Sequence, residues 1–200
     1  MTFWDFCAPI YDIAENTNKK AYNGMLNTVT NLINDGCTVL ECAGGTGSIS
    51  IAVSAKAKHV LCTDVSENML DVARRKTKRK NIENLQFATC DIYNIDYPNN
   101  GFDVVIASQV LHLLNHPKKA ANELKRVARK LVVVPVCLTE NLGFVSRTKL
   151  GLWRLLGFSP RHSFDAEGYH DFLCGIGLAP TDFTVIDGKM PMAVAVYAVS

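Results

Sequence analysis

Five short apolar runs punctuate the middle of the chain: Cys37–Cys42, His59–Thr63, Leu85–Thr89, Phe102–Ala107 and Leu131–Val136. They are rich in Val, Ile and Leu and barely alternate with polar residues. That is the pattern of parallel strands covered on both faces. Between them the apolar period changes to that of a helix. Met69, Leu70, Ala73 and Thr77 share one face, and Ala120, Leu124, Val127 and Leu131 share another. Pro117 is suited to a first helical turn. Strands alternating with helices predict an α/β fold built on a doubly wound sheet.

The two ends of the chain differ from this middle. Met25, Leu26, Val29, Leu32 and Ile33 recur at helical spacing, and Asp35-Gly36 is a stop signal. Before them stands an aromatic cluster of Phe3, Trp4, Phe6 and Tyr11 together with Ile10. It is read either as a hydrophobic cap on the sheet edge or as a flap over a ligand pocket. Residues 142–156 read as a helix with Leu142, Val145, Leu152, Trp153 and Leu156 on its apolar face. Tyr169, Phe172, Leu173 and Ile176 mark another. Leu178–Ile186 and Met190–Val199 read as strands joined near Asp187-Gly188, a two-residue hairpin signal. The expected whole is a mostly parallel seven-stranded, Rossmann-like sheet with a C-terminal antiparallel hairpin and a helical cap. Its parts are an N-terminal cap over 1–36, a core over 37–136, a helical insert over 141–176 and a closing hairpin over 178–199, in one domain.

Composition narrows the picture only a little. A chain of 200 residues, 48% hydrophobic and 20% charged, suits one soluble domain. A net charge of +2 selects no class of partner. No apolar run reaches the ~18–20 residues a membrane span requires. Seven scattered cysteines without a CxxC pair fit free thiols in a reducing cytoplasm, and no metal-ligand spacing stands out. The basic run Arg74–Lys80 invites a nucleic-acid reading. It lacks interleaved aromatics and is expected to be a solvated helix C-terminus, where cations favour the dipole.

The candidate chemistry sits after the strands. Glu41-Cys42-Ala43-Gly44-Gly45-Thr46-Gly47 places a glycine-rich loop between a strand and a helix, where backbone N–H groups can approach a ligand closely. Glu41, Asp64 and Asp91 are expected at the carboxyl edge of the sheet, the ligand edge of this architecture. Asp64 follows Gly47 at close to the ~20-residue offset of a ribose-binding carboxylate. Ser50 stands where a dinucleotide loop wants glycine or alanine, which counts against NAD.

Together these stretches resemble the class I S-adenosylmethionine-dependent methyltransferases over about residues 37–135. Motif one is similar to that of the quinone C-methyltransferases, which also carry alanine at the position of Ala43. Cys62–Leu70, Cys90-Asp91-Ile92, Phe102–His112 and Glu123–Val127 resemble the later motifs. The usual Lys-Pro-Gly-Gly-like turn before strand five is missing here, so strand five is expected to start early. The resemblance implies that backbone at Ala43, Gly44, Gly45, Thr46 and Gly47 holds the methionine part of the cofactor. It implies that Glu41 anchors the loop and the cofactor amino group, and that Asp64 takes the ribose hydroxyls. Val65 and Met69 would lie against adenine, with Asp91 and the Ile92 N–H at its polar edge. Ser108 would sit beside the methionine amino group and Tyr11 would cover the cofactor. His112, after strand four, is the best placed candidate base, ahead of His162 and His170. The expected acceptor is a small molecule, and no nucleic acid or metal is expected. The rival readings are an RNA or protein methyltransferase and a cofactor-binding module without activity.

Overall fold

The computed structural model describes residues 3–8, 18–140 and 161–199. Seven strands form one sheet: β1 (Thr38–Cys42), β2 (His59–Asp64), β3 (Leu85–Thr89), β4 (Phe102–Ala107), β5 (Ala128–Cys137), β6 (Asp182–Ile186) and β7 (Met192–Ala198). Their order is β3-β2-β1-β4-β5-β7-β6. The first five run parallel, and β7 pairs antiparallel with both β5 and β6. The chain leaves β1 in one direction for β2 and β3 and later crosses back to β4. Strand order therefore reverses between β1 and β4, and a crevice opens at their carboxyl ends.

The inner strands are covered on both faces, which is why they read as largely apolar runs. Leu40, Cys42, Val105, Ala107, Val132 and Val134 point to one face. There they meet α5 (Pro117–Val127) and α6 (Ala166–Gly175). Val39, Val60, Cys62, Val104, Ile106 and Val133 point to the other. That face is packed by α2 (Lys19–Asn31), α3 (Ser48–Val53) and α4 (Glu67–Arg79). A short α1 (Phe3–Cys7) precedes them, and a 3₁₀ turn, η1 (Leu111–Leu113), follows β4. The face predicted for α4 is the buried one: Met69, Leu70, Ala73 and Thr77. No helix among the described residues is long and apolar enough to cross a membrane.

Three expectations are corrected. Leu131 does not continue the helical face of Ala120, Leu124 and Val127. The helix ends at Val127 and Ala128 is already extended (φ −80°, ψ 140°), so helix passes into strand with no turn. Arg126 stabilises that abrupt end. It pairs with Glu123 at 2.7 Å and donates to the Ile95 and Tyr97 carbonyls. The hairpin is the second correction. Ile186 pairs with Met192, leaving residues 187–191 as the connection rather than a two-residue turn. The loop is shaped by α2: Asn18 Nδ2 donates to the Met190 carbonyl at 2.7 Å, and Gly188 lies so close to Ala21 that a Cβ there would stand 2.6 Å from the alanine methyl. The third is the first helix stop. α2 already ends at Asn31, before Asp35-Gly36, whose glycine (φ +87°) turns the chain into β1. The helix expected over 142–156 lies outside the described residues.

Asp103 ties the opposite edge of the sheet. It accepts from the Thr38 N–H and hydroxyl, both at 3.0 Å, and faces Arg129 and Lys130 at 3.2 Å. These bonds, led by the Thr38 N–H, hold its carboxyl down to about 2. A carboxyl depressed in the folded state contributes stability that is present above its unfolded pKa of ~3.9 and lost as pH falls toward 2. Arg129 and Lys130 are 54% and 59% exposed, so solvent screens part of the effect. Asp103→Asn is expected to cost about 1–2 kcal/mol at pH 7 and almost nothing at pH 2, as urea unfolding at the two pH values will read.

A glycine loop and two carboxylates at the switch point

The loop after β1 is bent by backbone that few side chains tolerate. Ala43, Gly45 and Gly47 all have positive φ (+53°, +55° and +75°). Gly47 caps α3 and packs against α4, where an added Cβ would meet the Ala73 methyl at 2.9 Å. Gly44 sits over β2, its N–H donating to the Thr63 carbonyl at 2.9 Å. A Cβ at Gly44 would stand 2.5 Å from Cys62 Sγ and 3.2 Å from the Glu41 carboxylate.

Glu41 is buried beneath this loop. Its Oε2 accepts from the Ser50 N–H at 2.9 Å and from the Ser50 hydroxyl. Ser50, odd for a dinucleotide loop, is thus the partner of a buried acid. Glu41 is not among the residues lining the adjacent cavity; its carboxylate holds α3 to β1.

Asp64, at the end of β2, holds the loop from above. Its Oδ2 accepts from the Gly45 N–H and its Oδ1 from the Ser66 N–H, each at 2.9 Å. The residue is only 7% exposed. Burial raises its carboxyl above the usual range, while these backbone donors pull it down and Asp5 pushes it up. Asp91 follows β3 in a tight turn. Its Oδ1 accepts from the Tyr93 N–H at 2.9 Å, and its Oδ2 has no hydrogen-bond partner among the described residues.

These groups border one cavity of about 330 Å³. Ala43, Gly45, Asp64, Val65, Met69, Asp91, Ile92 and Ser108 line it. Gly44, Thr46 and Gly47 shape the loop beside it. Val65 is 60% exposed there, one of two large apolar side chains so open among the described residues. Sequence reasoning passed over Cys90, Tyr93, Gln109, Val110, Leu113 and Leu114, which also line the cavity. Position after β3 and β4 was the available signal for them.

Trp4 lines the same cavity. α1 is moored there because Ser66, the cap of α4, donates its hydroxyl to Asp5 at 2.6 Å while accepting from the Met69 N–H. Asn68 adds a bond to the Asp5 carbonyl. Tyr11, Ile10 and Trp153 lie outside the described residues, as do the side chains of Phe3 and Phe6.

The candidate histidines fall on different elements. His112 is in η1, next to the cavity residues Leu113 and Leu114 but not among them. Burial, with His162 nearby, lowers it to about 4, so its ring is neutral at pH 7. Its Nδ1 is buried with no partner among the described residues. His162 stacks on Phe164 at 5.9 Å. His170 lies on the outer side of α6 near Asp171 and Cys174. The basic run is only partly the solvated surface expected. Arg74 pairs with Glu67 and Asp71, while Lys76 turns back to the hydroxyls of Thr46 and Ser48 at 3.3 and 3.1 Å. Among the described residues no His, Cys, Asp and Glu side chains group as metal ligands.

Residues 39–130 match the family model of the methyltransferase domain. A demethylmenaquinone methyltransferase of Clavibacter sepedonicus is 32% identical over 99 residues, covering 50% of this chain and 40% of the relative. The match thus spans well under two thirds of that relative's length. A solved magnesium protoporphyrin IX methyltransferase from Synechocystis PCC 6803 with bound SAH superposes with a TM-score of 0.67 at 19% identity, over 91% of this chain and 86% of that one. The [4+2]-cyclase SpnF superposes with 0.69 at 17% identity, over 89% and 80%. At such identities the likeness is one of fold, and a shared fold does not settle an activity.

Proposed function

We propose that the chain is a class I S-adenosylmethionine-dependent methyltransferase and that it methylates a small-molecule acceptor with that cofactor; the matched domain over residues 39–130 and the fold support the reading. The observation that carries the reading is the pairing of Asp64 with the Gly45 N–H at the strand switch point, beside the open oxygen of Asp91. A nucleoside laid along the crevice would meet both carboxylates in turn.

The residues present fit the cofactor. Asp64, which lines the cavity, would accept from ribose hydroxyls, and the unpartnered Asp91 Oδ2 would accept from an adenine amino group. Val65, Met69 and Ile92 would cover the base, and exposure of Val65 is what a side chain covered only by ligand would show. Backbone from Ala43 to Gly47 and Ser108 would hold the methionine end. When bound, the cofactor supplies a methyl group on a sulfonium, ready for in-line displacement. The protein's part is then to align the acceptor and exclude water. Trp4, Leu113 and Leu114 form apolar wall for that purpose, and Tyr11 is assigned to the same covering. His112, held neutral, is the proposed base where the acceptor must lose a proton. The relative's quinone chemistry makes hydroxylated aromatic rings the first acceptors to try. We assign the protein to the cytoplasm.

Calorimetric titration tests the reading. S-adenosylhomocysteine is expected to bind with a micromolar Kd and NAD at least a hundredfold more weakly. Tight NAD binding, or none by S-adenosylhomocysteine, sinks the proposal.

A further inference from the structure

Gln109, the second residue after β4, is one of four non-glycine residues with positive φ among those described (φ +55°). Such backbone is unfavourable for a residue with a Cβ and persists only where its surroundings hold it. Two bonds to β5 do so. The Gln109 N–H donates to the Pro135 carbonyl at 2.9 Å, and its side-chain Oε1 accepts from the Cys137 N–H at 3.0 Å. The second bond also fixes the amide's orientation, since only the oxygen can accept from an N–H. The NH₂ group is therefore on the other side. It has no hydrogen-bond partner among the described residues, and it is not one of their buried unpaired atoms. Gln109 lines the cavity that holds Asp64 and Asp91.

Strand order gives the direction along the cavity. Asp91 follows β3, Asp64 ends β2, the glycine loop follows β1, and Ser108 and Gln109 follow β4. With neighbouring strands ~4.8 Å apart, β3 and β4 are about 14 Å from each other. A nucleoside on the β2 and β3 side leaves Gln109 at the opposite, acceptor end. Its neighbours there, Val110, Leu113 and Leu114, are apolar. A fixed N–H donor in apolar surroundings loses its water when the cavity fills, and only a ligand oxygen restores the bond.

We propose that the Gln109 amide donates to an oxygen of the methyl acceptor, and that the acceptor carries this accepting oxygen on a largely apolar body that packs against Val110, Leu113 and Leu114. This rests on the methyl-transfer reading above. A site built to hydrogen-bond such an oxygen rejects the analogue that lacks it.

The test uses the full chain saturated with S-adenosylhomocysteine and two probes, 2-hydroxy-1,4-naphthoquinone and naphthalene. The expected result is that the parent binds the naphthoquinone at least tenfold more tightly than naphthalene. Gln109→Glu keeps an oxygen for the Cys137 N–H but replaces the donors. It should lose tenfold or more in naphthoquinone affinity, leave naphthalene unchanged and hold S-adenosylhomocysteine within twofold. Should the glutamate variant fail to fold, Gln109→Met carries the same expectation. Equal naphthoquinone binding by parent and variant overturns the proposal. So does a parent that holds S-adenosylhomocysteine yet prefers naphthalene or takes up neither probe. A parent that does not bind S-adenosylhomocysteine overturns the methyltransferase reading instead.

Discussion

Asp64→Ala is expected to lower S-adenosylhomocysteine affinity by at least about a hundredfold while the protein stays folded. The carboxylate has two jobs. It anchors the Gly45 and Ser66 N–H groups, which set the loop and the start of α4. It also lines the cavity, and in the proposed complex each charge-assisted bond from a ribose hydroxyl would be worth about 1.5–3 kcal/mol. Two such bonds amount to about 3–6 kcal/mol, and every ~1.4 kcal/mol is a factor of ten. Stability should fall as well, by about 1–3 kcal/mol for each of the two N–H groups left unpaired, less the relief of a charge that burial disfavours in the folded state. Calorimetry and a thermal melt on the same sample separate the two effects. Asp64→Asn keeps the shape and one acceptor oxygen and should fall between parent and alanine. If the alanine variant binds as the parent does, the assignment of Asp64 to the cofactor is wrong.

Glu41→Ala should act the other way round, through stability first. Ser50 is fully buried, and both its N–H and its hydroxyl donate to Glu41. Removing the carboxylate leaves two buried donors unpaired at about 1–3 kcal/mol each, and leaves a void where the side chain was. A loss of about 3–5 kcal/mol is expected. For a chain of this size that lowers Tm by roughly 10 °C or more. Glu41→Gln keeps an acceptor oxygen of the same reach and should lose less than half as much. A Glu41→Ala protein melting within two degrees of the parent would show that the carboxylate is dispensable to the loop.

Some of this was legible from the residues alone. Burial on both faces leaves a parallel strand no polar side, so β1, β2 and β4 announced themselves as largely apolar runs. The buried face of α4 followed from its 3.6-residue period. The placement of two acids at the carboxyl edge was also readable, because Asp64 ends one strand, Asp91 closely follows the next, and a glycine loop is a local property of the chain. What the sequence could not supply was which distant segment would meet which. Leu131 fitted the helical period of its neighbours equally well. It became strand because residues 128–137 found partners in β4 and β7. Asp187-Gly188 carried a tight-turn signal, yet contact with Asn18 and Ala21 of the N-terminal region opened it into a longer loop. Lys76 belonged to a charged run until its neighbour across the fold proved to be the glycine loop. Gln109 gave no sign beyond its place after the fourth strand. Its left-handed backbone is unfavourable by itself and exists because Pro135 and Cys137 hold it from another strand. Periodicity and turn chemistry act between residues close in the chain, so a sequence displays them directly. Hydrogen bonds and contacts between segments far apart in sequence depend on how the sheet is assembled, and here they chose the strand boundary, the shape of the hairpin and the orientation of the donor at the acceptor end.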